Sequence, residues 1–150
     1  MQTVDVITEI TINRPLAEVA RFASEPDNAT KWYENIKAVE WKSPKPLRVG
    51  SLIAFRAEFL WKKLEYVYEV AENIENEKFV MRTADGPFPM ETTYSWESMG
   101  ENETRMWLRN RGNPSGFFSL FAPFMSMMMR SENRKDLKRL KSVLEKGNSQ

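Results

Sequence analysis

Proton-transfer chemistry needs a tunable acid or base, and this chain is short of both. Its 150 residues include no histidine and no cysteine. The commonest general base, the commonest nitrogen ligand for metals and any thiolate nucleophile are therefore missing. Phenols and carboxylates remain. Tyr66, Tyr68 and Tyr94, with the amide of Asn110, recur on the apolar side of candidate strands, where they could orient the polar end of a bound molecule. Asp85, Glu91 and Arg130 could bring a charge to such a site from a loop or helix, as acid–base catalysis would require. These are residue types that usually face water, so no catalytic residue, metal ligand or cofactor is assigned.

Composition narrows the class further. At 150 residues and 41% hydrophobic content, the chain reads as one domain over 1–150 with enough apolar mass for a core. A formal net charge of +1 argues against a nucleic-acid partner, because phosphate contacts need a cationic surplus. The opening "MQTVDVITEITINRP" has neither a basic leader nor an apolar block. The longest apolar stretch, Phe117 to Met129, falls short of the roughly 20 residues that span a bilayer. No transmembrane segment and a cytoplasmic location are expected.

Two periodicities position the candidate residues. "VDVITEITIN" alternates, with Val4, Val6, Ile10 and Ile12 on one side, and reads as an opening strand. Pro15 suits the first turn of a helix that buries Leu16, Val19, Ala20 and Phe22–Ala23, with Asn13 or Arg14 near its cap. A second helix is expected over "PDNATKWYENI". From Lys37 to Arg111 six segments read as strands: "AVEWK", "SLIAFRAEF", "KLEYVYEVAE", "KFVMRTA", "PMETTYSWES" and "TRMWLRNR". Short connections between them imply an antiparallel meander. A long helix is expected from Ser115 to Lys146, kinked or restarted at Pro123.

Strand parity separates a dry face from a wet one. Ile53, Phe55, Ala57, Phe59, Leu64, Tyr66, Tyr68, Val70, Phe79, Met81, Met90, Thr92, Tyr94, Trp96, Thr104, Met106, Leu108 and Asn110 fall on one side. Arg56, Glu58, Glu65, Glu69, Arg82, Glu91, Glu97, Arg105, Arg109 and Arg111 fall on the other, with opposite charges on neighbouring strands. The strand "IKAVEWK" does not sort. Every ionised side chain of the sheet is expected to look outward, leaving an oily, chemically quiet interior.

"FFSLFAPFMSMMMR" (117–130) is the anomaly. The last helix carries an inward stripe of Phe118, Ala122, Met125, Met129, Asn133, Leu137, Leu140 and Leu144. Its second half is cleanly amphipathic, whereas Phe117, Phe121, Phe124, Met127 and Met128 add apolar surface off the stripe. Three roles fit this half: coverage by sheet and short helices, the adaptable wall of a cavity, or contact with a partner.

The order of these features resembles a known family. The run Arg14-Pro15, Val19, Phe22, Pro26, Asn28, Trp32, then "VGS" (49–51), "YEVAE" (68–72), the "GP" at 86–87 and "DLKRLKSVLE" (136–145) are similar to small proteins of the polyketide cyclase/dehydrase group. That group lies in the START-like (SRPBCC) superfamily, with the birch-pollen allergen. The resemblance covers essentially the whole chain and implies an α+β helix-grip fold. In it, a curved seven-stranded antiparallel sheet wraps a long C-terminal helix, with two short helices after the first strand. It also implies a cavity for lipids, polyketides or other apolar molecules, and no catalytic motif carries over.

Three functions follow as expectations. The first is non-enzymatic binding or carriage of a hydrophobic small molecule (lipid, polyketide or isoprenoid-like), lined by Phe55, Phe59, Tyr66, Tyr68, Met81, Met90, Tyr94, Met106, Asn110, Phe118, Met125 and Met129. The second is a polyketide cyclase or dehydratase. The third is a protein-interaction module with a filled core, such as a homodimer, using Trp61, Trp107 and the outer part of the methionine stretch. Trp61 sits at a hairpin tip, where an indole is usually covered by a neighbouring strand or a partner.

Overall fold

The computed structural model describes residues 4–59, 61–86, 88–114 and 120–147, excluding the side chains of 59 and 147. The chain opens with β1 (Val4–Ile12), α1 (Leu16–Ser24), a 3-10 turn at Pro26–Asn28, α2 (Ala29–Trp32) and β2 (Ile36–Trp41). It continues through β3 (Leu52–Phe59), β4 (Lys62–Ile74), β5 (Lys78–Asp85), β6 (Met90–Gly100), β7 (Glu103–Gly112) and α3 (Ala122–Gly147). All neighbours in the seven-stranded sheet are antiparallel, in the order β1-β7-β6-β5-β4-β3-β2.

Local sequence explains the helix starts. Pro15 takes the extended cap position of α1 in place of Asn13 or Arg14, and Arg14 instead clamps Glu18 one turn on at 2.9 Å. Val19, Ala20 and Ala23 recur at helical spacing and are buried. Pro26 opens the 3-10 turn, and the Glu25 carboxylate accepts the Asp27 N–H. The second helix is shorter than the sequence suggests. It ends at Trp32, because Tyr33 is already extended and sends its phenol toward Tyr94 across the interior.

The sheet sorts as its alternation demands. Ile53, Phe55, Phe79, Met81, Tyr94, Trp96, Met106 and Leu108 are buried with Ile12, Val19, Trp32, Leu137 and Leu140 in the main core. The opposite face carries cross-strand ion pairs: Arg109–Asp5 at 2.7 Å, Arg82–Glu91 at 2.6 Å and Arg56–Glu65 at 3.6 Å. β2 resists sorting for a physical reason. A bulge between Ile36 and Ala38 breaks its period of two.

Two further expectations change. Residues 115–119 lie outside the described residues; a turn at 120–121 leads into α3, and Pro123 sits in its first turn, where a missing N–H does no harm. Trp61 is not covered by its neighbouring strand: it is 99% exposed at the β3–β4 tip, with φ of 63°.

Leu140 is fully buried in the core, whereas Arg82 is exposed outside it. Leu140→Ala is expected to lower the unfolding free energy by about 2–5 kcal/mol, and Arg82→Ala by no more than about 1 kcal/mol. Urea denaturation of both variants measures the contrast.

Candidate functional site

α3 leans to one side of the curved sheet. Its main packing partners are β1 and α2, and Lys141 anchors it by donating to the Thr11 carbonyl at 2.8 Å. Toward β3, β4 and β5 the helix and sheet stand apart, framing a half-open cavity of about 180 Å³. Phe55, Ala57, Leu64, Tyr66 and Met81 come from those strands, Phe88 and Met90 from the approach to β6, and Met125 and Met129 from α3. Tyr66 is held by edge contact with Phe88, their centroids 6.3 Å apart. It also packs where a Cβ on Gly86 would have to sit, 2.6 Å from Tyr66 Cδ1. A side chain at 86 would push that ring.

Four polar groups on the wall pair off with one another. The Tyr33 and Tyr94 hydroxyls are 2.6 Å apart, and Thr92 donates to Asn110 Oδ1 at 2.6 Å. Burial pushes the phenols of Tyr33, Tyr66 and Tyr94 well above their ordinary value, and that of Tyr68 to about 12. These hydroxyls stay neutral at physiological pH, so they can hydrogen-bond a ligand but cannot act as bases.

Charge reaches the interior, contrary to the expectation of a quiet cavity. It comes from the helix, not the sheet. Asp136 is 2% exposed at the cavity wall, and its Oδ1 accepts the Glu34 N–H at 3.1 Å. Burial pushes its carboxyl up to about 6, despite that hydrogen bond. Glu132 and Asn133 line the same wall. The spacing Met125, Met129, Glu132, Asp136 advances by four, three and four residues, which keeps all four on one helical face. That spacing was the available signal for Asp136. It sits beside Leu137 among charged neighbours and reads at first as part of the wet face.

The structure brings Phe55, Tyr66, Tyr68, Met81, Met90, Tyr94, Asn110, Met125 and Met129 together around the cavity. Met106 is not at its wall; it is fully buried in the core with residues of α1 and the second half of α3. Phe118 and the side chain of Phe59 lie outside the described residues. Tyr33, Phe88, Glu132, Asn133 and Asp136 are wall residues beyond those expected. Of the acid–base candidates, Asp85, Glu91 and Arg130 are absent from the wall; Glu91 is engaged by Arg82 on the outer face.

Residues 3–145 match the family model described as polyketide cyclase / dehydrase and lipid transport. The chain belongs to this family. Its seven-stranded sheet gripping a long helix is the helix-grip fold of START-like proteins. Among solved structures, the protein TTHA0849 from Thermus thermophilus is similar at 20% identity with a TM-score of 0.82, over 95% of this chain and 98% of that one. A START superfamily protein from Mycobacterium smegmatis matches at 14% identity and 0.82, over 95% and 97%. The Zhui aromatase/cyclase from Streptomyces sp. R1128 matches at 9% identity and 0.77, over 95% and 94%. At these identities the solved structures share a fold with this member of the polyketide cyclase / dehydrase family, not a demonstrated activity. No curated protein matches the sequence significantly. Among the described residues no helix is long and apolar enough to cross a membrane.

Asp136 gives the site a pH signature. Between 3.8, its ordinary value, and about 6 the folded protein keeps a proton that the unfolded chain has released. Stability therefore falls as pH rises across that window and stays lower above it. Asp136→Asn keeps an acceptor for Glu34 and removes the buried charge. It is expected to raise the unfolding free energy at pH 7.5 by up to about 3 kcal/mol, the gain vanishing below about pH 4. Denaturant titrations at the two pH values check this.

Proposed function

We propose that the protein binds and carries a hydrophobic small molecule, a lipid, polyketide or isoprenoid-like compound, between the sheet and α3 without transforming it. The observation that carries this reading is the cavity itself: about 180 Å³ of space, walled mainly by aromatic rings, methionines and small side chains. Its volume is close to that of an engineered apolar cavity of about 150 Å³ that binds benzene. A single ring or a short chain fits without rearrangement. Larger ligands are accommodated by rotating Met125 and Met129, whose unbranched thioethers repack readily. The family description, which includes lipid transport, agrees with this use.

A second reading rests on Asp136. A carboxyl raised to about 6 inside a cavity is suited to moving a proton near neutral pH. In that case the ligand is a substrate for cyclisation or dehydration, and Asp136→Asn lowers turnover by roughly 100-fold or more. Under the carrier reading the ligand is recovered chemically unchanged.

A thermal-shift and native mass-spectrometry screen of apolar compounds tests the proposal. A bound compound at 100 times its dissociation constant should add about 2.7 kcal/mol of stability. Ala57→Trp, which puts an indole at the cavity wall, should weaken the same compound at least tenfold. A broad screen with no stabilising compound contradicts the reading, as does binding that Ala57→Trp leaves intact.

A further inference from the structure

The helix side of the cavity carries two polar side chains that differ in hydrogen-bond sense. Asn133 is 5% exposed, lines the cavity, and its Nδ2 has no partner among the described residues. A buried amide N–H without an acceptor is a standing penalty that native proteins rarely keep without a reason. Asp136 follows three residues later on the same face, a carboxylate that accepts the Glu34 N–H and has lone pairs to spare for further donors. Elsewhere on the wall, Tyr33 is engaged with Tyr94, and Thr92 with Asn110. A free donor and a strong acceptor therefore lie about one helical turn apart on the wall of a mostly apolar space.

We propose that Asn133 and Asp136 form a polar pole that receives a hydroxyl group, so that the ligand is an uncharged alcohol or phenol with an apolar body. This deepens the carrier reading and rests on it. A hydroxyl is the small group that does both jobs, accepting from Asn133 Nδ2 and donating to Asp136. A carboxylate fails at the pole, because Asp136 and Glu132 both line the wall and, among the described residues, no lysine or arginine does. The nearby cations do not offset this. Arg139 is paired to Glu34 at 2.9 Å, and Lys135 reaches Glu132 at 3.8 Å from a largely exposed position. An ammonium satisfies the two carboxylates but has no lone pair for Asn133 Nδ2. A plain hydrocarbon leaves both groups without a new partner.

Calorimetry on the full chain at pH 7.5 with four matched probes separates these cases: 4-propylphenol, propylbenzene, 4-propylbenzoate and 4-propylbenzylamine. The phenol is expected to bind at least tenfold more tightly than propylbenzene and than the amine, and the benzoate is expected to show no measurable binding. Asn133→Leu, close in size, should shrink the phenol's advantage over propylbenzene by about threefold or more, the hydroxyl keeping only its bond to Asp136. Asp136→Asn should narrow the gap between phenol and benzoate at least tenfold. Equal binding of phenol and hydrocarbon overturns the hydroxyl pole but leaves the carrier reading standing, as does tighter binding of benzoate or amine. Unchanged phenol affinity in both variants has the same meaning. Failure of all four probes to bind overturns the pole together with the cavity's use as a ligand site.

Discussion

The interior of this protein depends on the pairing of its first strand with its last. β1 lies antiparallel to β7 from Val4 opposite Gly112 to Ile12 opposite Thr104, joining the two ends of the sheet's sequence. That pairing supplies the shelf on which α3 rests. Val4 and Val6 pack with Ala122 and Met125 near the start of the helix, and Glu145 accepts the Asn13 N–H near its end. A helix held along one margin of a curved sheet cannot also fill the opposite margin. The cavity under β3, β4 and β5 is the geometric consequence.

Within that space the chain mixes two energetic strategies. Tyr33 with Tyr94 and Thr92 with Asn110 are satisfied internally, which lets the aromatic and methionine surface dominate. Asp136 and Asn133 depart from this. A buried carboxylate and an unpaired amide both oppose folding, and the rest of the core must offset them. Sites that sacrifice stability in this way are the ones where function is commonly found. The cluster lies where a ligand would touch it, not in the solid core around Met106 and Leu140.

Much of the fold was legible because side chains in strands alternate strictly and the sheet has one wet face. A single register put Arg56, Arg82 and Arg109 outward and Phe55, Met81 and Tyr94 inward, and the folded chain follows that division. The bulge in β2 was illegible, since an inserted residue leaves no mark in composition. Asp136 was missed because a helical face is broad: a residue next to the stripe can point into a gap when the sheet does not close over it. The gap itself is invisible in sequence, as it depends on where α3 sits relative to β3 and β4. Nothing in residue types fixes that separation. Trp61 shows the converse, an indole that residue type alone would cover and that the hairpin leaves in solvent.

Everything proposed for the site requires that α3 and the far strands hold open a preformed apolar space. Pressurising crystals of the protein with xenon tests this directly, because xenon enters dry, apolar cavities. A single well-occupied atom is expected among Phe55, Tyr66, Met81 and Met125, with little movement of the surrounding side chains. Crystals with no xenon there, whose side chains close the space completely, would contradict it.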